Sequence, residues 1–179
     1  MKHITTFICL VMLIIAGTQN AQAQTKEETI EWLNINGNIL LQAKIRPYTD
    51  NTEFTSDLIE SKLDTLFLED KIYDNGNFNP ILYDTYAIPF SSILYQDANS
   101  VVVKDEENKN SENKYFVLQT KKYLRNRRNK NESAGHTSKE TGFVKIYFHK
   151  NNEENAKRVL RAIMHLAKLS GAKENKHHF

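Results

Sequence analysis

The chain has 179 residues and a formal net charge of +2 at pH 7, so its overall charge points to no particular class of partner. It contains a single cysteine, Cys9, which excludes an intramolecular disulfide.

The first 23 residues have the pattern of a secretory signal peptide. Lys2 precedes an apolar run over residues 7–16, and AQA at 21–23 supplies the small residues that a signal peptidase recognises. The run is too short to span a bilayer comfortably, which disfavours a retained anchor. We therefore predict a signal peptide over 1–23 and export to the periplasm or the medium. Its removal would take Cys9 with it and leave about 155 residues, the length of one domain.

A short helix is predicted over 24–38, at the start of the mature chain. Thr25 can cap it, and two glutamates follow in the first turn, where the helix dipole favours acidic residues. Gly37 is expected to end the helix, and Trp32 to dock it on the core.

Strands are predicted for most of the chain that follows. Apolar and polar residues alternate with period two, which is typical of half-buried strands. DNTEFTSDLIES is ambiguous between a strand and a helical turn. The other segments are NILLQAKIR, LDTLFLED, YDTYAIPFSSI, SVVVKDE, KYFVLQTKK and GFVKIYFH. The longest connector, 121–142, has no apolar periodicity and is predicted to be a mobile loop.

An amphipathic helix is predicted near the end of the chain. Asn151 or Asn152 can cap it, and Gly171 is placed to end it. Apolar residues recur at spacings of three and four, with Leu160 and Ile163 at the centre of the face. The basic residues lie on its flanks and back, so we predict a lid that covers the sheet. Residues 172–179 are predicted to be a flexible tail.

Consecutive strands without intervening helices favour an antiparallel α+β fold. Six or seven strands with one C-terminal capping helix, together with the segment YAIPFSSILYQDANSVVVKDE, resemble the pleckstrin-homology-like (PH or GRAM-type) fold of small exported bacterial proteins. The resemblance implies a β-sandwich or partly open barrel over 39–171. It implies no catalytic residue. Phosphoinositide-binding members carry basic residues between their first two strands, but here RPYTDNTEFTSDLIESK is as acidic as it is basic, so that role is not transferred.

Catalytic and metal-binding motifs are missing from the sequence. There is no glycine-rich phosphate loop and no nucleophile elbow, and Ser91 and Ser92 have no histidine nearby in the sequence. His136, His149 and His165 are too scattered for a ligand pair at helical spacing, and the adjacent His177 and His178 lie on the tail. We therefore predict a protein that is not an enzyme and has no cofactor and no metal.

A basic run within 114–130 is the sharpest local signal. It contains no acidic residue and has aromatic residues interleaved. Such a run can bind anionic lipid head groups, polysaccharide or an envelope protein, whereas export disfavours nucleic acid as a partner. The competing interpretation is a solvated loop that protects a hairpin from pairing with other chains. The candidate anion-binding residues are Lys121, Lys122, Arg125, Arg127, Arg128 and Lys130.

The function predicted from the sequence is a binding or scaffold module of the bacterial cell envelope. Two alternatives stay open: a carrier of a small apolar ligand held between sheets, and an envelope hydrolase or accessory factor whose site is assembled only in three dimensions.

Overall fold

The computed structural model describes residues 25–43, 46–49, 52–62, 64–74, 79–98, 100–105 and 112–175. The predicted signal peptide and the last four residues of the predicted tail lie outside these residues. In the part described, no helix is both long enough and apolar enough to span a membrane.

The first helix, α1 (Lys26–Leu41), begins as predicted and ends later. The Thr25 side chain accepts a hydrogen bond from the Glu28 backbone N–H, and the Glu28 carboxylate accepts one from the Thr25 backbone N–H. The prediction that Gly37 ends the helix is wrong. Gly37 is buried inside it, where a Cβ would lie only 3.3 Å from a methyl of Leu58. The helix ends at Gln42, which adopts the left-handed conformation with a φ of 46°.

The predicted strand NILLQAKIR is therefore wrong in its first half, because residues 39–41 belong to α1. Seven strands follow. They are β1 (Arg46–Thr49), β2 (Thr52–Lys62), β3 (Thr65–Asp74), β4 (Pro80–Pro89), β5 (Val103–Asp105), β6 (Asn113–Asn129) and β7 (His136–His149). The ambiguous segment DNTEFTSDLIES thus lies mainly in β2 and is a strand.

The strands form one antiparallel sheet in the order β1-β2-β3-β4-β6-β5, with β7 also paired to β6. β4 and β5 pair with different halves of β6, whereas β7 pairs with nearly its whole length, so β7 lies on the opposite edge of β6. This confirms the antiparallel sheet of about seven strands with an N-terminal and a C-terminal helix. The sheet is not closed.

The predicted mobile loop over 121–142 is wrong. These residues form the outer halves of β6 and β7, joined by a turn at 130–135. The apolar periodicity is absent for two reasons. A bulge between Thr120 and Tyr123 shifts the alternation by one residue, and the side chains beyond it are mostly polar on both faces.

The second helix, α2 (Glu153–Leu169), covers the inner face of the sheet, as predicted. Leu160 and Ile163 are buried in a core that also contains the predicted inner residues of β7, namely Val144, Ile146 and Phe148. Gly171 follows the helix with a φ of 74°, a conformation that suits glycine.

The segment after α2 departs from the predicted flexible tail. Glu174 pairs with Tyr95 in a β-bridge, and Asn175 is buried. The Asn175 backbone N–H donates to the Tyr95 carbonyl at 2.8 Å, and its side chain donates to Gln96 and Gln119. Residues 172–175 are therefore part of the packed domain.

Candidate functional site

The bulge in β6 decides which side chains of the hairpin face the helices. β6 places Phe116, Leu118 and Thr120 on the inner side, and all three are buried. Four residues of β6, from Thr120 to Tyr123, lie opposite three residues of β7, from Gly142 back to Glu140. The extra residue returns Tyr123 to the inner side, and Arg125 and Arg127 follow it at period two.

Buried hydroxyl groups hold this bulge in place. The Ser92 Oγ lies 2.7 Å from the carbonyl oxygens of both Pro89 and Lys122, either of which can accept its single proton. The Thr120 Oγ1 lies 3.2 Å from the Ser92 Oγ and 2.9 Å from the Lys122 carbonyl. Ser92, the second serine of the IPFSSI segment, therefore links the end of β4 to the bulge in β6.

The inner side of the hairpin carries a buried carboxylate, Asp84 of β4, which is only 6% exposed. Arg125 donates from Nε to Oδ1 at 3.1 Å and from Nη2 to Oδ2 at 2.6 Å. Arg127 repeats the pattern at 2.9 Å and 2.7 Å. One carboxylate thus accepts four charge-assisted hydrogen bonds from two guanidinium groups.

The ionisation state of Asp84 follows from these contacts. Burial alone would raise the pKa of Asp84, but the hydrogen bonds from Arg127 and Arg125 outweigh burial and lower the pKa below its ordinary value. The carboxylate is therefore charged near neutral pH.

Two tyrosines border this ion pair on the inner side. The Tyr123 hydroxyl donates to Glu140 at 2.9 Å, and burial together with this bond raises its pKa to about 12. Burial and the nearby charge of Asp70 raise the pKa of Tyr86 far above its ordinary range. The two rings lie 6.1 Å apart, and the Arg125 guanidinium lies 5.7 Å from the Tyr86 ring centre.

We call Asp70, Asp84, Tyr86, Tyr123, Arg125, Arg127 and Glu140 the Asp84 cluster. Its three carboxylates outnumber its two guanidinium groups. Because Arg125 and Arg127 already bind Asp84, an incoming anion would have to compete with a buried carboxylate at close range. Two of the six candidate anion-binding residues are thus bound to Asp84, although the Arg127 side chain is 50% exposed.

The other four candidates are exposed: Lys121 and Lys122 in the bulge, Arg128 near the end of β6, and Lys130 in the turn. Arg128 lies 4.7 Å above the Tyr83 ring. Their surroundings include a fifth exposed cation, Lys139, which is paired in register with Leu124. Two apolar side chains of the same face are unusually exposed, Leu124 at 43% and Phe143 at 59%. We call Lys121, Lys122, Leu124, Arg128, Lys130, Lys139 and Phe143 the outer basic face.

A second basic surface lies between the two helices. A groove of about 460 Å³ between α1 and α2 is lined by Trp32, Arg158, Arg161, Ala162 and His165. The four residues of α2 recur three and four apart in the sequence. That spacing alone indicates only the solvated back of a lid, because nothing in the sequence shows that Trp32 lies beside these residues.

Other chemistry-bearing residues do not come together. Among the described residues, no group of three or more His, Cys, Asp or Glu side chains could hold a metal ion. His177 and His178 lie outside the described residues. Tyr73, Tyr83 and Tyr95 are each partly buried and lie on different strands or loops.

Comparisons with protein-family models, with curated proteins and with solved structures found no match for this chain.

Proposed function

We propose that this protein is an exported, non-enzymatic binding module of the bacterial cell envelope, built on a PH-like fold, and that it contacts an anionic surface through the outer basic face. The PH-like relationship is supported by the antiparallel sheet followed by a helix that packs on its inner side. Export is supported by the signal-peptide pattern of residues 1–23.

The observation that carries the proposal is the composition of the outer basic face. β6 has no acidic residue, and the only acidic residue of β7, Glu140, belongs to the inner Asp84 cluster. Glu132, in the turn, accepts hydrogen bonds from Asn129. Within β6 and β7 themselves, the cations of the outer side therefore share their side with no carboxylate. Exposed Leu124 and Phe143 lie among them. Cations surrounding apolar side chains are the composition with which proteins bind anionic lipid surfaces.

The groups that resemble catalytic machinery have structural partners, which supports a non-enzymatic role. The Ser92 hydroxyl is held by backbone carbonyls at the bulge. The Asp84 carboxylate is saturated by two arginines and cannot easily take up a proton near neutral pH. A carrier of a ligand within the core is disfavoured, because Phe90, Phe116 and Phe148 fill that space and are at most 1% exposed.

The test is salt-dependent retention on anionic vesicles, with heparin as the polysaccharide arm. A variant with Lys121, Lys122, Arg128 and Lys130 all replaced by Gln should lose retention by about tenfold or more, since each cation contributes about 1 kcal/mol near an anionic membrane. The matched control removes four exposed lysines elsewhere, Lys104, Lys150, Lys168 and Lys173, with the same change in net charge.

Equal loss of retention in the two variants would contradict the proposal, because it would indicate dependence on net charge alone. Retention on heparin but not on vesicles would assign the surface to anionic polysaccharide.

A further inference from the structure

We propose that the groove between α1 and α2 is a separate binding site for a phosphate monoester or diester that carries an apolar body. The site is independent of the outer basic face and is formed by residues that sequence reasoning assigned to the back of a lid.

The two helices run antiparallel along the groove. Gln42, just after α1, accepts a hydrogen bond at 2.7 Å from Asn152, just before α2. Arg158, Arg161, Ala162 and His165 recur at spacings of three and four and therefore share one side of α2. The Arg158 guanidinium lies 5.8 Å from the Trp32 ring centre. Trp32 of α1 and Arg158 of α2 are thus neighbours in the groove.

The charge of the groove is positive and is not balanced by the nearest acids of α2. Glu153 and Glu154, in the first turn, both pair with Lys157, at 3.2 Å and 3.3 Å. The two arginines of the groove are both exposed. Their planar guanidinium groups can donate paired hydrogen bonds to phosphate oxygens, which favours a phosphate over a simple halide-like anion.

An apolar strip on α1 continues from the groove. Ile35 and Ile39 follow Trp32 at spacings of three and four, so the three side chains lie on one side of the helix. Ile35 and Ile39 are 60% and 64% exposed, more than any other large hydrophobic side chain described. The strip is about 10 Å long at 1.5 Å per residue. A ligand with its phosphate between Arg158 and Arg161 could therefore lay an apolar body along Trp32 and Ile35.

The groove and the outer basic face lie on opposite sides of the sheet. Phe143 faces away from the helices, because its neighbour Val144 is buried beneath them. In the groove, Arg158 and His165 lie on the side of α2 opposite the buried Leu160 and Ile163. One flat anionic surface cannot contact both regions at once, so a ligand of the groove is a second ligand or a second contact.

Trp32 provides a direct assay, since it is the only tryptophan of the chain. Titration of the purified protein with phenyl phosphate should give a saturable change in tryptophan emission. Inorganic phosphate should require about tenfold higher concentration, because it lacks the apolar body. Phenol, which lacks the phosphate, should give no saturable change.

Arg161→Gln is the informative variant, because Arg158 itself contacts the Trp32 ring and its loss would alter the emission directly. We expect Arg161→Gln to weaken phenyl phosphate binding about tenfold or more, as for the loss of hydrogen bonds to a charged group. Arg128→Gln, on the outer basic face, is the matched control and should leave the titration unchanged.

Vesicles distinguish the two sources of phosphate. If vesicles of equal parts phosphatidylglycerol and phosphatidylcholine shift Trp32 emission and phenyl phosphate competes, the ligand is a lipid head group. If only the soluble ester binds, the ligand is a soluble phosphate. The absence of any saturable change with phenyl phosphate, or equal affinity in Arg161→Gln, would overturn the proposal. Neither result would affect vesicle retention through the outer basic face.

Discussion

The two faces of the β6–β7 hairpin carry the same kinds of side chain and use them differently. On the inner face, Arg125 and Arg127 are bound to a carboxylate that is almost entirely buried. On the outer face, Arg128 and Lys139 share their side of β6 and β7 with no acidic residue, and Lys139 is paired in register with exposed Leu124. The alternation of side chains along β6 thus places Arg125 and Arg127 beside Asp84 and places Arg128, the next residue, on the opposite face.

This difference shows that the residues of a basic run in the sequence need not form one surface. A cation of the run is available to a partner only where its side chain lies on the outer face of the strand. Here that division depends on one extra residue in the bulge and on the hydroxyl groups that hold it. The following variants test the division between an inner, structural face and an outer, binding face.

The largest effect is expected where the inner face meets the helices. Leu160→Asp should unfold the domain at a cost of more than about 4 kcal/mol, because it buries an unpaired charge. Urea denaturation followed by circular dichroism measures the loss. Arg161→Asp, one residue further along the same helix but exposed, should change the free energy of unfolding by less than about 1 kcal/mol. A folded Leu160→Asp variant would show that α2 does not close the core.

Insertion of one alanine between Tyr123 and Leu124 shifts the alternation of β6 beyond the bulge by one residue. Arg125 and Arg127 would then face outward, and Asp84 would lose both partners. We expect a loss of about 3 kcal/mol or more in the free energy of unfolding. Insertion of one alanine after Ser133 in the turn leaves the β6–β7 register intact and should cost much less. If both insertions are equally tolerated, the alternation of β6 beyond the bulge does not determine the partners of Asp84.

Asp84→Asn tests the inner ion pair itself. It should cost about 2 kcal/mol near pH 7, because two arginines lose a charged acceptor. The sign of the pH dependence follows from the lowered pKa of Asp84 in the folded state. Its stabilisation is present above the ordinary pKa of 3.8 and is lost as the pH falls through the lower, folded-state value.

The gap between wild type and Asp84→Asn in urea denaturation should therefore narrow below about pH 4. Asp105→Asn is the control, since the Asp105 carboxylate is highly exposed and makes only a long contact of 3.9 Å with Lys114. A gap that stays constant with pH would mean that the charge of Asp84 is not what stabilises the hairpin.

The smallest effect on stability is expected on the outer face. Leu124→Ser combined with Phe143→Ser should change the free energy of unfolding by only about 1 kcal/mol, because Leu124 is already 43% exposed and Phe143 is 59% exposed. The same pair should lower retention on anionic vesicles severalfold through lost apolar contact. Val102→Ser with Leu169→Ser removes two exposed apolar side chains elsewhere and should leave retention unchanged.

Much of the fold could be predicted from the chain, and the errors have identifiable causes. The inner residues of β7 and the buried face of α2 were predicted correctly, because strict apolar periodicity left one arrangement that buries them. The end of α1 was misplaced at Gly37, because a glycine that stops a helix and one that lets a helix approach a strand look the same in sequence.

The candidate sites were less predictable, for a different reason. The six basic residues were found, but their division between two faces requires the bulge and the position of Asp84, which is 41 residues away from Arg125 in sequence. The groove requires Trp32 and α2 to be neighbours, which only the packing of two helices from opposite ends of the chain provides.

The sequence by itself determined the antiparallel sheet, the two helices and the lid, because local periodicity and the need to bury apolar surface are properties of each segment. Only the tertiary structure decided which charges remain available. Whether a cation is paired depends on side chains that distant strands bring within about 3 Å, and no local pattern contains that information.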